Sequence, residues 1–194
     1  MTVIYLASTS SVKRRNFAEL LEPHGYAVEN LELRTQEVQA IDVRVVSRRK
    51  AEEAARLSDS RPVLVDDTGL ELPDLMDAPG ALLKPILNHG GVALLDRMTR
   101  SFQVDGQCRA RYVCALTMAD DDRVIEAAGS WDGLLDFSGK AGEVSADVRD
   151  CSSLFRTEPG GPTLTEQAAV QGSAAYLHRA RAVQNLLRNL AQVV

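Results

Sequence analysis

Pro62-Val63-Leu64-Val65-Asp66-Asp67-Thr68-Gly69-Leu70-Glu71-Leu72 runs from an apolar, β-branched segment into two adjacent carboxylates and a Thr-Gly pair. Val63 to Val65 predict a buried strand. Asp66 and Asp67 are then expected at its end, where loops leave a scaffold and chemistry collects. Successive strand residues face opposite ways, so one carboxylate can face a cleft while the other turns inward. Adjacent carboxylates repel, and a divalent cation relieves the repulsion. Mg²⁺ suits such oxygens, because it takes one or two carboxylates and completes its shell with water and substrate phosphates. Asp-Asp-Thr-Gly is equally good turn chemistry. On these residues alone both readings stay open.

The surrounding chain narrows the class. Its 194 residues carry a net charge of −5, with 45% hydrophobic and 25% charged residues, as in an ordinary soluble globular protein. The acidic balance disfavours a nucleic-acid polymer as partner but permits a local basic pocket. No apolar run is long enough to cross a bilayer. Met1 to Ala7 lacks the basic start of a signal peptide, so the expected location is the cytoplasm. The cysteines are Cys108, Cys114 and Cys151, with no Cys-x-x-Cys spacing, so neither a disulfide framework nor a zinc site is indicated. Cys114 lies in an apolar run and reads as core.

Residues 3–7 predict a first strand, followed by Ser8-Thr9-Ser10-Ser11 and a helix whose apolar positions are Val12, Phe17, Leu20 and Leu21. The serines are N-cap candidates. Free N–H groups at a helix start attract phosphate, and hydroxyls and Lys13 add donors. Lys13-Arg14-Arg15 opposes the helix dipole, which an anion bound there would offset. The alternative is a capped surface helix with a solvated basic turn. A strand is expected over Tyr26 to Leu33. A helix follows from Asp42 to Leu57, with an apolar face of Val43, Val46, the Lys50 stem, Ala54 and Leu57. The Lys50 head either snorkels to water or enters a cleft.

Beyond the Asp pair, Ala81 to Met98 predicts a helix broken at Gly90-Gly91, with His89 as a helix-end residue. Arg109 to Met118 reads as a strand, Asp120-Asp121-Asp122 as a solvated hairpin tip, and Val124 to Trp131 as the returning strand. Leu134 to Phe137 reads as another strand. An antiparallel block after a βα-type first half predicts a mixed α/β fold. Residues 138–163 read as a long loop, anchored by Leu154-Phe155. Helix resumes near Thr165, and a last helix follows with Leu177, Ala180, Val183, Leu186, Leu187 and Leu190 on its apolar face. Arg179 and Arg181 near its start offer a second anion contact or a solvated basic face. No clean linker appears, so residues 1–194 are read as a single domain.

Four segments now stand in order: LAS-TSSVK (6–13), QEVQ with RRKAEEA (36–54), PVLVDDTGLELPDL with APG (62–80), and GSWDG (129–133) followed by LHR (177–179). Together they resemble the inosine triphosphate pyrophosphatase family, the HAM1-like non-canonical purine NTP pyrophosphatases. The resemblance implies an elongated, twisted mixed sheet with flanking helices, two lobes around a nucleotide cleft, and a homodimer. It implies Mg²⁺-dependent hydrolysis of a nucleoside triphosphate to monophosphate and pyrophosphate. Ser8, Thr9, Ser10 and Lys13 would grip the triphosphate, with Thr68 also on the substrate. Glu37 and Asp67 would hold metal. Asp67 would orient the attacking water, beside Asp66, and Lys50 would bind phosphate. Asp150 would keep a substrate-binding place, and His178 and Arg179 would lie near the nucleobase and phosphates.

The chain also departs from the family pattern. The glycine-rich Phe-Gly-Tyr/Trp-Asp-Pro segment expected near 146–151 reads Ala146-Asp147-Val148-Arg149-Asp150-Cys151, without the aromatic that stacks on a purine. A lysine is replaced by Ser173, a helical glutamate by Asn16, an asparagine of the first loop by Ser10, and the serine before His178 by Leu177. The phosphate half therefore reads as kept and the base-reading half as rebuilt. Stacking is worth about 1–3 kcal/mol per base, so its loss redirects base selection, toward a pyrimidine or a modified nucleotide. The alternatives are another nucleotide phosphohydrolase, or a catalytically weak nucleotide-binding protein.

Overall fold

The computed structural model describes residues 1–33, 35, 36, 38–120, 123–139 and 151–192. Its frame is a seven-stranded mixed sheet. The strands are β1 (Thr2–Ala7), β2 (Tyr26–Leu31), β3 (Val63–Glu71), the two-residue β4 (Pro79–Gly80), β5 (Gln107–Asp120), β6 (Arg123–Asp136) and β7 (Phe155–Arg156). Their spatial order is β2-β1-β3-β5-β6-β7, with β4 also on β3. β1 runs parallel to β2 and β3, and every other pairing is antiparallel. The helices are α1 (Ser11–Leu21), α2 (Val43–Leu57), α3 (Leu83–Thr99), α4 (Leu164–Gln171) and α5 (Leu177–Ala191). The expected α/β class, a mixed sheet with flanking helices, is the class observed.

Alternation along β3 and β5 assigns the two faces of the sheet. Leu64, Cys114, Leu116 and Met118 pack with Phe17 and Leu21 of α1 and Val183 and Leu186 of α5. Val63, Val65 and Ala119 face the other way, onto Ala51 and Ala54 of α2. With both faces covered, nearly all of β5 is buried, so it reads as a continuous apolar run. Cys114 is core, as expected, and burial pushes its thiol up to about 12. A third cluster, with Leu87, Leu95, Tyr112, Trp131 and Phe155, fills the far end beneath α3 and α4.

Several expectations need correction. The Asp-Asp-Thr-Gly segment is not a turn and does not end its strand, because β3 pairs with β5 without interruption from Val63 to Glu71. Leu134 to Asp136 belongs to β6 rather than to a separate strand, and the second strand stops at Leu31. The loop read over 138–163 contains β7, anchored as expected by buried Leu154 and Phe155. Asp121 and Asp122 of the hairpin tip lie outside the described residues. Val12, Leu57 and Leu177, placed on apolar faces, are 45%, 55% and 38% exposed. Asn16, Ser47 and His178 are buried instead, the first two through polar contacts and His178 against aromatic rings. The break in α3 falls at Gly91, two residues after exposed His89.

The polypeptide between β2 and α2 is held over the sheet by a backbone contact. Ala81 N–H donates to the Ile41 carbonyl at 2.8 Å. Gly80 makes this approach possible: φ is +55°, and a Cβ there would stand 2.0 Å from the Ile41 oxygen. Gly80→Ala is expected to cost about 3 kcal/mol or more, from strain and loss of this contact. Urea denaturation checks it. A midpoint equal to the wild type's would show that the Ile41–Ala81 contact does not depend on Gly80.

Candidate active site

β3 carries the site because its edge is left open. β1 pairs with it only at Val63 and Leu64, and β4 only at Leu70 and Glu71. Between them no described strand takes that edge from Val65 to Gly69. One cavity of about 950 Å³ opens there, reaching Ser8, Thr9, Ser10, Lys13, Lys50, Asp66, Asp67, Thr68, His178 and Arg179. Those ten residues come from four separate stretches of sequence, and all were candidates from it. Glu37 and Asp150, the other two, lie outside the described residues.

Within β3 the two carboxylates point to opposite faces, and each meets a lysine. Asp66 shares its face with Leu64 and takes Lys13 Nζ of α1 at 2.8 Å. Asp67 shares its face with Val65 and takes Lys50 Nζ of α2 at 2.9 Å. Lys50 thus enters the cleft, and its head does not snorkel. Thr68, on the Asp66 side, donates its hydroxyl to Asp66 Oδ2 at 3.3 Å. Burial pushes the Asp67 carboxyl above the ordinary carboxylate value, while the Lys50 and Lys13 charges pull it back down.

Each carboxylate leaves one oxygen over. Asp66 Oδ1 and Asp67 Oδ2 are buried without a hydrogen-bond partner. An unsatisfied buried carboxylate oxygen is costly, and a hard cation is what such an oxygen accepts. Asp67 Oδ2 therefore fits as a ligand to a divalent metal, with Asp66 beside it on the other face of the strand. Among the described residues no cluster of three or more acidic, His or Cys ligands occurs. Such an ion would draw its remaining ligands from water and substrate, as Mg²⁺ commonly does.

The first loop is shaped by its hydroxyls. Ser10 caps α1, its oxygen accepting from Lys13 N–H at 3.3 Å, and Ser10 N–H donates to Ser8 Oγ at 3.2 Å. The first turn of α1 contains no acidic residue, so its positive end faces the cavity unopposed.

The opposite wall comes from α5. Gly129 of β6 admits it: a Cβ there would lie 2.3 Å from both the His178 oxygen and the Ala182 nitrogen. Arg181, Asn185 and Asn189, one turn apart, donate to the carbonyls of Ser130, Ala128 and Glu126. These bonds cap a sheet edge, so of the two readings left open for Arg181 the exposed face holds and the anion contact does not. His178 lies face-on to Tyr112 at 5.1 Å and to Trp131 at 6.5 Å, with its Nδ1 buried and unpartnered. Burial, helped by the Arg179 and Lys13 charges, holds its pKa well below the usual 6.5.

Two departures from the family pattern prove to touch. Asn16 Nδ2 donates to Ser173 Oγ, and Asn16 Oδ1 accepts from Arg179 Nη1. The guanidinium also lies 4.8 Å over the Tyr176 ring. Sequence reading missed Asn16 as a contact, and missed Tyr112, Tyr176, Leu83, Leu87, Ser152 and Leu164 in the lining. Alternation along β5 would have placed Tyr112 on the Cys114 face. The others follow from chain crossings that no local pattern records.

The Ham1 family sequence profile matches residues 4–189. The chain belongs to the Ham1 family. It is 29% identical over 206 aligned positions to the dITP/XTP pyrophosphatase of Burkholderia pseudomallei, covering 98% of this chain and 94% of that protein. It is 34% identical over 131 positions to inosine triphosphate pyrophosphatase 2 of Trypanosoma cruzi, covering 67% of this chain and 64% of that one. The Staphylococcus aureus Ham1 protein shares its fold, with a TM-score of 0.74 at 22% identity and full coverage of both chains. No helix among the described residues of this Ham1 protein is long and apolar enough to cross a membrane.

His178 gives a pH signature. Its folded pKa lies below its unfolded value, so as pH falls below about 6.5 the unfolded state takes up a proton that the folded state refuses. Stability contributed by neutral His178 is then lost. His178→Phe keeps a ring against Tyr112 and removes the titration. Between about pH 7.5 and 5.5 the wild type should lose about 1.4 kcal/mol more than the variant, or roughly 3–5 °C in Tm. Parallel Tm–pH curves would show that His178 titrates normally.

Proposed function

We propose that this Ham1-family chain is a Mg²⁺-dependent nucleoside triphosphate pyrophosphatase, cutting the α–β linkage to give monophosphate and pyrophosphate. The observation that carries the reading is the pair of buried Lys–Asp contacts on opposite faces of β3, each with one carboxylate oxygen unpartnered. Phosphoryl transfer asks chiefly for positioning and charge neutralisation, and this cavity collects the groups for both. The named activities of the Burkholderia and Trypanosoma relatives support the same reading.

In this mechanism Asp67 accepts a hydrogen bond from water and aims its oxygen at the α-phosphorus. The new P–O bond forms as the bridging α–β bond breaks, and pyrophosphate leaves. The water proton passes to Asp67 and then to solvent. A carboxyl pKa raised by burial makes Asp67 a better proton acceptor than an exposed aspartate. Lys13, Lys50, the Ser8–Ser10 loop and the α1 amides take up negative charge on the phosphates. Held by Asp67 and Glu37, Mg²⁺ would supply Lewis-acid polarisation of phosphate oxygens and lower the pKa of bound water. Arg179 and His178 close the far end of the cleft.

Base specificity is proposed to differ from the purine preference the family implies. The support is the sequence of 146–151, which lacks the stacking aromatic, together with a cleft end lined by Tyr112, Tyr176, Leu87 and Leu164. The proposal extends to a homodimer in the cytoplasm, on the strength of the family resemblance.

With Mg²⁺ and a panel of purine and pyrimidine triphosphates, equal release of monophosphate and pyrophosphate is expected for a preferred base. Release of orthophosphate alone would move the cut to another bond. Asp67→Asn should lower kcat by about 10³, and EDTA should abolish turnover reversibly. Persistence of turnover in Asp67→Asn would remove Asp67 from the reaction. The pH profile checks the electrostatics. Activity falls as Asp67 protonates, so Lys50→Gln, which removes the charge holding its pKa down, should shift the acid limb to higher pH.

A further inference from the structure

Asn16 sits mid-way along α1, 1% exposed, among apolar neighbours. A polar side chain there needs partners for both ends of its amide. Guanidinium nitrogens only donate, so the oxygen must face Arg179 and the nitrogen must face Ser173. The arrangement matches: Arg179 Nη1 donates to Asn16 Oδ1, and Asn16 Nδ2 donates to Ser173 Oγ. Three elements meet at one residue: α1, the short turn Gly172–Ala175 before α5, and α5 itself.

The charge state of this contact sets Arg179 apart from the two lysines that meet the β3 carboxylates. Lys13 and Lys50 are each neutralised by a carboxylate. No described carboxylate pairs with Arg179, and its Nε is buried without a partner. Its remaining contact is the Tyr176 face, at 4.8 Å. A neutral amide can fix a guanidinium in place without cancelling its charge. A carboxylate at the same position would fix it equally well and cancel it.

We propose that Asn16 is a positioning residue: through a neutral hydrogen bond, backed by Ser173, it holds Arg179 as an unquenched donor for an electron-rich oxygen of the substrate. That oxygen belongs either to the phosphate chain or to a nucleobase carbonyl. The inference rests on the reading of this cleft as a triphosphate site.

The test is Asn16→Asp, with Asn16→Ala and Ser173→Ala beside it. Each variant is checked for wild-type circular dichroism, then titrated by calorimetry with Mg²⁺ and an α,β-methylene nucleoside triphosphate, and separately with Mg²⁺ and inorganic tripolyphosphate. Asn16→Asp should weaken binding of the analogue about tenfold or more, Asn16→Ala several-fold, and Ser173→Ala less. With the cleavable substrate the loss should fall on KM, with kcat within about threefold of wild type. A packing defect alone would lower Tm and leave KM in place. Arg179→Gln added to Asn16→Asp should cost little more than either change alone, since both remove the same charge.

Weakening of both ligands assigns the oxygen to the phosphates, and weakening of the analogue alone assigns it to the nucleobase. Unchanged affinity for both ligands in folded Asn16→Asp and Asn16→Ala overturns the proposal, as does a fully additive Arg179→Gln effect. Should the wild type bind these ligands but cleave no triphosphate, the pyrophosphatase reading fails while the binding series still decides the role of Asn16.

Discussion

The open edge of β3 between Leu64 and Leu70 is the constraint on which the rest depends. A strand paired on both sides would show its two faces to two separate compartments. Here the parallel partner ends early and the next one begins late. Residues 66 and 67 project to opposite faces of the sheet yet line one cavity. That is why two helices on opposite sides, α1 and α2, each deliver a lysine to neighbouring residues of one strand. An uninterrupted edge would place Lys13 and Lys50 in different worlds. The glycines serve the same end. Gly80 lets Ile41 approach the end of β3, and Gly129 lets α5 press onto β6.

Placing those charges in the interior is expensive, and the fold meets the cost in pairs. A buried ion pair is weak evidence for stability, because desolvation offsets most of the Coulomb gain. Removing one partner leaves an uncompensated charge and costs more than the pair ever contributed. The Lys13–Asp66 and Lys50–Asp67 contacts are therefore better understood as a charge-neutral resting state than as staples. They set one lysine against each carboxylate in a chain whose net charge is already −5.

Much of this was legible in the sequence, and the misses have physical causes. Hydrophobic runs and helix caps announced the elements, and chemistry-bearing residue types announced the cleft. The Asp-Asp-Thr-Gly segment misled because turn propensity and strand pairing compete locally, and the long antiparallel partner β5 decided for strand. The apolar faces of α1, α2 and α5 drifted by about one position, because each helix buries a polar residue that hydropathy counts as exposed. Those residues are Asn16, Ser47 and His178. Ser47 is satisfied by Thr117 at 2.9 Å, a contact made 70 residues away. The Asn16–Ser173 contact spans 157 residues. No window of sequence carries such information, although the residue types at both ends had already stood out as unusual.

On the proposed reading, the resting ion pairs also dictate how a substrate must enter. Lys13 and Lys50 have ammonium donors to spare for phosphate oxygens, but their charge is already shared with Asp66 and Asp67. Phosphate alone would bring further negative charge to a pair of carboxylates that already take up the lysine charge. A cation alone would add positive charge beside the two lysines, although carboxylate oxygens are free to receive it. Cation and triphosphate arriving together satisfy both sets at once, so each raises the affinity for the other. Arg179 stands outside this exchange because its anchor is neutral. It offers its charge to the ligand undivided, because no described carboxylate shares it.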